Sequence, residues 1–454
     1  MSRVFILDAE RKPLYPCHQG RGRKLLAEGK ASILRHYPFT IIMKKEVKSE
    51  IPPSLRIKID PGSKQTGFAL VDDKTGEIVW AAVLYHRGWQ ITDKMKKRRD
   101  VRRNRRSRKT RYRKARWRYR PKPKGWLAPS LMHRVYTTMT WVQRLIRYAP
   151  ISAISMELVS FDFQKMENPE IEGVEYQQGE LHGYEVKEYL LSKWGRKCVY
   201  CGKEDQPLQV EHIQPKAKGG TNRISNLTLS CAPCNKKKSD KDIKVFLKNK
   251  TELLKKILKQ AKTPMRDAAA INSTRWCLFN ALKETGLPVE TGSGGRTKFN
   301  RIKRGVEKTH WGDAACVGAS TPENLRPNGV KPIYIKCMGH GSRKMIKPNA
   351  HGFAKAHRTR NKAFQGFKTG DFVKADIPKG TKTGVWRGRI TIRQKPSFMM
   401  KPVSGENNGK AVDGFNPKFM KHLQKNDGFE YSDQPFKIKI PKQTETADEE
   451  KTNS

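Results

Sequence analysis

Acidic residues are scarce in this chain: 43 Asp and Glu stand against 94 Lys and Arg, a net charge of +51 over 454 residues. Apolar residues are also few, 36 % of the total with a mean hydropathy of −0.78, so the cores must be modest and the surface wet. No apolar run approaches the ~20 residues of a membrane-spanning helix. No basic, Leu-rich amphipathic helix suited to a membrane surface stands out. The N-terminus shows no signal-peptide core, and no internal repeat points to a solenoid. Cysteine is present, but four of the eight fall in two CxxC pairs, which fits metal binding in a reducing compartment better than a disulfide framework. With a pI near 10.2, the charge repels itself in a compact fold unless a polyanion neutralises it. Nucleic acid is the implied partner, in an intracellular setting.

What the chain has in excess is concentrated in one stretch. From Lys94 to Arg120, 17 of 27 residues are Lys or Arg and the only acid is Asp100. A helix of this composition sets like charges three and four residues apart on every face, which opposes it. It also has almost nothing apolar to bury, so order is expected only against a polyanion. The guanidinium fork suits phosphate oxygens. The run is not a tail, because it lies between segments that both look folded.

At this length roughly two to four domains are expected. Residues 1–50 form a small α/β unit: a strand VFILD, a turn KPLYP, a basic helix ending at Gly29 and a strand PFTIIMK. Residues 55–86 alternate as strands, LRIKID, FALVD and EIVWAAVLYH, joined by the turns PGSKQTG and DKTG. A helix follows over Ser130–Tyr148, then a strand ISAISME, a polar linker and a helix from about Glu185 to Trp194. A compact Cys-rich unit fills 198–240, Leu/Lys-rich helices occupy about 242–285, and 291–308 reads as a Gly/Lys loop. A short helix from Trp311, a strand PIYIK and a twisted hairpin over 371–393 complete the folded part.

Asp60 ends the strand LRIKID beside Pro61 and Gly62, where a carboxylate suits Mg2+ and a glycine admits a phosphate backbone. Alone, an Asp at such a junction is most often a turn cap. Glu157 ends another apolar strand, and Asp313 opens a small-residue helix three residues after His310, so those two share a face. Three acids from separate element ends can converge on two metals about 4 Å apart, as phosphodiester hydrolysis requires. His310 is a candidate general base or extra ligand. The order strand, hairpin, strand, late acidic helix is similar to the RNase H-like fold of RuvC-type nucleases, and the long gap between Glu157 and Asp313 implies an insertion.

That insertion carries Cys198, Cys201, Cys231 and Cys234, two knuckles suited to a structural, tetrahedral Zn2+ site. Between and after them stand Glu211-His212, a Gly-Gly loop, Asn226 and Asn235. This pattern resembles the HNH nuclease motif with its ββα-metal core. The resemblance implies His212 as general base, Glu211 and Asn235 as Mg2+ ligands and Asn226 as the residue that fixes the loop. Asn235 stands where the pattern's name has His, and Glu211 where Asp is common.

A split RuvC-like site, an inserted HNH unit and an Arg-rich helix together resemble the IscB family of transposon-associated RNA-guided DNA endonucleases, relatives of type II CRISPR effectors. KPLYP, the segment 157–186 and TGSGGRTKFNR (291–301) extend the resemblance over about residues 1–432. Tyr15 replaces the Met of the family's PLMP signature, a change expected to have no consequence. The implied architecture is an α/β multidomain chain. It has a PLMP-like domain (1–50), RuvC-like segments (51–93, 123–160 and 246–335) and a bridge helix (94–122). A linker (161–190), a zinc-containing HNH domain (191–245), a small β-rich region for RNA and the target-adjacent motif (336–432) and a disordered tail (433–454) complete it. By the same resemblance the partners are a noncoding guide RNA and target double-stranded DNA, with no membrane, in a monomeric ribonucleoprotein of the bacterial cytoplasm and nucleoid. Asp60, Glu157 and Asp313 would hold Mg2+ or Mn2+. Arg98, Arg99, Arg102, Arg103, Arg105, Arg106, Arg108, Arg111 and Arg113 would grip the guide backbone. The HNH site would cut the guide-paired strand and the RuvC-like site the displaced one. The rival readings are an unguided nuclease, for which no base-reading helix is found, and a nuclease-dead RNA-binding regulator, disfavoured because every catalytic position is filled.

Overall fold

The computed structural model describes residues 3–47, 54–107, 126–159, 182–204, 207–262, 266–327, 329–339, 346–350, 353–357, 361–393, 397–403 and 406–436. Most of the expected linker, the last residues of the expected tail, and Arg108, Arg111 and Arg113 lie outside these.

The N-terminal unit is a four-stranded sheet of β1 (Val4–Leu7), β2 (Pro13–Cys17), β3 (Ala31–Arg35) and β4 (Thr40–Met43), in the order β2-β1-β4-β3. Helix α1 (Gln19–Ala27) starts at His18, whose ring accepts from the Gly20 amide at 3.2 Å. KPLYP, expected as a turn, instead belongs to β2, which pairs antiparallel with β1. Two prolines are tolerated there because β2 is an edge strand and need not donate outward. Tyr15 is also not inconsequential. Its hydroxyl donates to Asp72 at 2.6 Å, beside an Arg3–Glu77 ion pair, and these contacts fasten the unit to the next one.

The centre of the molecule is a seven-stranded sheet. Its strands are β5 (Leu55–Pro61), β6 (Gln65–Asp72), β7 (Ile78–Tyr85), β8 (Ile151–Val159), β11 (Val289–Ser293), β12 (Ile333–Cys337) and β22 (Phe429–Ser432), ordered β11-β8-β5-β6-β7-β12-β22. β5, β6 and β7 are antiparallel neighbours, while β8 runs parallel to β5 and β11 parallel to β8. Both faces are covered, which is why β7 is buried at every position and reads as an unbroken apolar run. On one face Ile57, Phe68, Leu70 and Trp80 pack under α3 (Pro129–Tyr148), through Trp141 and Leu145, and under α8 (Arg266–Lys283), through Leu278 and Leu282. Burying each such side chain is worth about 1.5–3 kcal/mol. On the other face Ala69, Val71 and Ala81 meet Ala314 and Ala315 of α10 (His310–Ala315). Gly67 makes that approach possible, since a Cβ there would lie 1.8 Å from the His310 carbonyl oxygen.

The basic positions of LRIKID do not all face water. Lys58 is fully buried, donating to the Val317 carbonyl at 2.7 Å and to Thr321 Oγ1 at 3.1 Å, and burial pulls its pKa down to about 8. The Arg-rich run enters helix α2 (Gly88–Ser107), which starts ahead of the expected bridge-helix boundary and packs at its root on α3. Residues 291–308, expected as a loop, are instead the end of β11 and helix α9 (Gly294–Lys303), capped by the Ser293 hydroxyl. Its two leading glycines suit the helix start, where no side-chain bulk is needed.

The inserted unit comprises α4 (His182–Lys193), β9 (Leu208–His212), β10 (Leu227–Cys231), α5 (Ala232–Lys238), α6 (Ile243–Phe246) and α7 (Thr251–Lys262) around a separate core of Tyr189, Leu190, Leu229 and Ile257. The C-terminal region holds two short pairs, β13 to β16, within 346–368, then a five-stranded sheet. That sheet comprises β17 (Phe372–Ile377), β18 (Gly384–Thr391), β19 (Phe398–Pro402), β20 (Val412–Phe415) and β21 (Met420–Gln424), with its own core. β22 then returns to the central sheet beside β12, so 336–432 is not a self-contained appendage. Among the described residues no helix is long and apolar enough to cross a membrane.

Candidate nuclease centres

Sheet register brings the first two acids together. Ile59 of β5 pairs with Met156 of β8, so the following residues, Asp60 and Glu157, sit side by side at the strand ends. Helix α10 lies across β5 and β6 and adds Asp313. Burial holds the Asp60 carboxyl well above its ordinary range, and the nearby Glu157 and Asp313 push it further the same way. Asp313 is also raised by burial, although the Arg301 guanidinium, 2.9 Å from its Oδ1, opposes this. The ring of His310 on the same helix is shifted down by the surrounding protein, against the pull of Asp313. Gly294, at the start of α9, leaves room for Glu157, whose Oε1 lies 3.2 Å from where a Cβ would stand.

Neighbouring half-buried carboxylates, two of which raise the pKa of Asp60, are an incomplete electrostatic arrangement that a hard cation completes, so the oxygen donor set fits Mg2+ or Mn2+. The three acids are not gathered as tightly as a preformed single-ion cage. Among the described residues, the His/Cys/Asp/Glu groups with all donor atoms within 4.8 Å are Cys198, Cys201, Cys231 and Cys234, and separately His86, His133 and Cys337. Sequence reading missed Arg301, Gly294 and Lys58. Gly294 and Arg301 lie in TGSGGRTKFNR and Lys58 in LRIKID.

The second centre is local. β9 and β10 form an antiparallel pair with His212 opposite Leu227, and the loop between them is held by Asn226. Its Oδ1 accepts from the Gln214 amide at 2.9 Å, and its Nδ2 donates to the Gln214 and Thr221 carbonyls at 3.0 and 2.8 Å. Gly220 is required, because a Cβ would lie 1.9 Å from the Gln214 carbonyl oxygen. His212 Nε2 is 3.0 Å from Asn222 Oδ1, which fixes the ring at the loop's mouth.

Glu211 faces inward and pairs with Lys238 at 2.7 Å, both side chains almost completely buried. Lys238 also donates to the His212 carbonyl at 2.8 Å. Asn235, three residues earlier on α5, donates to Gln209 at 2.9 Å. Glu211 and Asn235, expected to share one ion, therefore meet different partners in this structure. Asn235 lies within α5.

The four knuckle sulfurs converge, with Cys201 Sγ and Cys231 Sγ 3.8 Å apart. Tetrahedral Zn–S bonds of about 2.3 Å place sulfurs at that separation, so this set fits Zn2+. Burial and the neighbouring thiols raise the Cys234 pKa, a proton load that metal binding would release.

On α2, Arg98, Arg99, Arg102 and Arg103 are exposed and Arg106 is half-buried, while the side chain of Arg105 lies outside the description.

Residues 198–241 match the HNH endonuclease family model. The inserted unit is thus an HNH domain, its matched segment running from the first zinc-type cysteine to just past Lys238. Residues 4–179 match a second model, described as RRXRR protein, a span that includes the Arg-rich run. No curated protein matches the chain. Among solved structures, Streptococcus thermophilus Cas9 in complex with the GGAA PAM overlaps at 15 % identity, covering 58 % of this chain and 32 % of that one, with a TM-score of 0.23. The type II-C Cas9 from Actinomyces naeslundii overlaps at 18 % identity, covering 41 % and 26 %, with a TM-score of 0.15. The HNH-containing chain thus spans about a third or less of the length of these proteins.

Proposed function

We propose that this HNH protein is an RNA-guided DNA endonuclease of the IscB kind with two separate cutting centres. The observation that carries the reading is the pairing of an HNH domain with a second acidic centre on a different sheet, Asp60 beside Glu157 and Asp313. The antiparallel β5-β6-β7 ladder with β8 and β11 parallel to β5 supports an RNase H-like, RuvC-type fold for that second centre. The Arg-rich helix α2 leaves β7 close to it, with exposed guanidiniums suited to a nucleic-acid backbone. A noncoding guide RNA pairing with double-stranded DNA is the reading that explains so much positive charge without a base-reading helix.

In the HNH domain, His212 takes the proton of the attacking water, its ring oriented by Asn222 while Asn226 holds the loop. Lys238 neutralises Glu211 and supports the His212 backbone from beneath. In the sheet centre, Asp60, Glu157 and Asp313 hold the divalent ions, and Arg301 keeps Asp313 oriented. Mg2+ or Mn2+, when bound, supplies the positive charge that stabilises the phosphate and leaving oxygen. His310, on α10, serves as base or further ligand, and the four knuckle cysteines hold structural Zn2+. The HNH centre cuts the guide-paired strand and the sheet centre the displaced strand. The C-terminal region reads the motif beside the target.

The test is strand-resolved cleavage by protein carrying its co-purified RNA. His212→Ala is expected to cut only the displaced strand, and Asp60→Ala only the guide-paired strand. Either single change abolishing both cuts, or active protein recovered free of RNA, overturns the proposal.

A further inference from the structure

His86, His133 and Cys337 form a cluster that neither nuclease centre uses. Their donor atoms all lie within 4.8 Å of one another. Three separate elements supply them. Tyr85 of β7 pairs in parallel with Lys336 of β12, so the next residues, His86 and Cys337, are neighbours at the strand ends. His133 comes from α3, its ring crossing that of His86 at 87° with centroids 6.1 Å apart. His86 and Cys337 are only 4 % and 3 % exposed.

The surrounding hydrogen bonds leave a His86 lone pair open, while His133 Nε2 accepts from the Arg87 amide at 3.3 Å, a bond that ligation through that nitrogen would replace. Thr66 Oγ1 lies 2.7 Å from His86 Nε2, and giving it the ring proton leaves Nδ1 unprotonated. Thr137 Oγ1, 3.2 Å from that Nδ1, donates its proton to the His133 carbonyl at 2.8 Å, as a helix hydroxyl commonly does. An imidazole lone pair, a hydroxyl oxygen and a thiol sulfur then converge at a largely buried point beside the half-buried His133. A hydroxyl on the far nitrogen of a ligating His is also the usual supporting arrangement at metal sites. The two guanidiniums nearby are turned to carbonyls, Arg87 to Met338 at 3.0 Å and Arg134 to Ser63 at 2.7 Å.

We propose that His86, His133 and Cys337 bind a second Zn2+-class ion at the root of the Arg-rich helix. Two imidazoles and one thiolate select Zn2+ over Mg2+, so this site is chemically distinct from the carboxylate centre. Bond lengths of about 2.0–2.3 Å bring donor atoms to roughly 3.3–3.8 Å, so closure of at most about 1.5 Å by side-chain rotation completes it. Binding exchanges the Cys337 proton for the metal, and water takes the fourth position. The ion would tie β7, α3 and β12 together at the point where α2 departs, and Arg134 carries that tie to the loop after Asp60.

The test is metal content per chain, measured on full-length protein equilibrated with buffered Zn2+. Wild type is expected to hold two zinc ions. The double variant Cys201→Ser/Cys234→Ser should hold one, and Cys337→Ser/His133→Ala should also hold one. With Co2+ in place of Zn2+, the Cys201→Ser/Cys234→Ser protein should show a single-thiolate charge-transfer band that further change of Cys337 removes. One zinc in the wild type and none in Cys201→Ser/Cys234→Ser overturns the proposal. Should the Cys337 variant fail to fold, the cobalt spectrum of Cys201→Ser/Cys234→Ser decides alone, and absence of the thiolate band overturns it.

Discussion

The two candidate nuclease centres are built in opposite ways. The HNH centre occupies one short stretch, where two strands, a loop and a helix are neighbours in sequence and four cysteines can clamp them. The acidic centre is assembled from strands and a helix far apart in the chain. Lys58, two residues before Asp60, reaches the Val317 carbonyl across 259 residues of sequence. The local centre has a smaller core than the sheet's and adds one buried ion pair and four converging thiols suited to a structural ion. The distant centre depends on a two-faced sheet whose apolar ladder sets its acids side by side against their mutual repulsion. A motif is thus enough to locate the first centre, whereas the second exists only after the sheet has formed.

The largest effect that separates them is loss of the clamp. Cys201→Ser, or chelation of zinc, is expected to unfold the HNH domain and abolish its cut while the other strand is still cleaved. Limited proteolysis and strand-resolved cleavage check this, and loss of both cuts would show that the cysteine clamp supports the sheet as well. Next comes the buried pair: Lys238→Met leaves the Glu211 carboxylate uncompensated and should cost about 3–5 kcal/mol in HNH-domain stability. The added change Glu211→Leu should restore much of it, measured by denaturant unfolding. A failure of rescue would mean that Lys238 acts through the His212 carbonyl instead.

A smaller effect concerns the sheet. Because the folded Asp60 carboxyl titrates above its unfolded value, the folded state holds the extra proton between the two, and stability falls as pH rises through that window. Asp60→Asn removes this penalty and should raise Tm near neutral pH by roughly 2–4 °C, the shift that about 1 kcal/mol gives in a domain of this size. Mg2+ should stabilise wild type and leave Asp60→Asn much less affected. An unchanged Tm would show that the three acids do not repel as placed. The smallest effect is at Tyr15. Tyr15→Phe loses the hydroxyl bond to Asp72 and should cost about 1–1.5 kcal/mol at the N-terminal junction without altering either cut.

Much of this was readable in the residues alone. The apolar strand patterns located β5, β6, β7 and β8, and the CxxC pairs with Glu211-His212, Asn226 and Asn235 marked the HNH unit, because local chemistry leaves local spacing. The failures share a cause. KPLYP looked like a turn until an edge position excused its prolines, and 291–308 looked like a loop until packing beside Glu157 gave its glycines a helix to start. Nothing in the spacing announced that a lysine one helical turn after Asn235, Lys238, is the buried partner of Glu211.

By itself, the sequence determined the charge and its concentration in one run, the paired cysteines and the positions of the acids near strand and helix ends. Only the tertiary structure decided that Asp60 and Glu157 are adjacent, that Lys58 and Lys238 are interior, and that His86, His133 and Cys337 meet. Register across a mixed sheet and the packing of helices on its two faces are long-range properties, set by which apolar faces bury against each other. No spacing within a single segment encodes them.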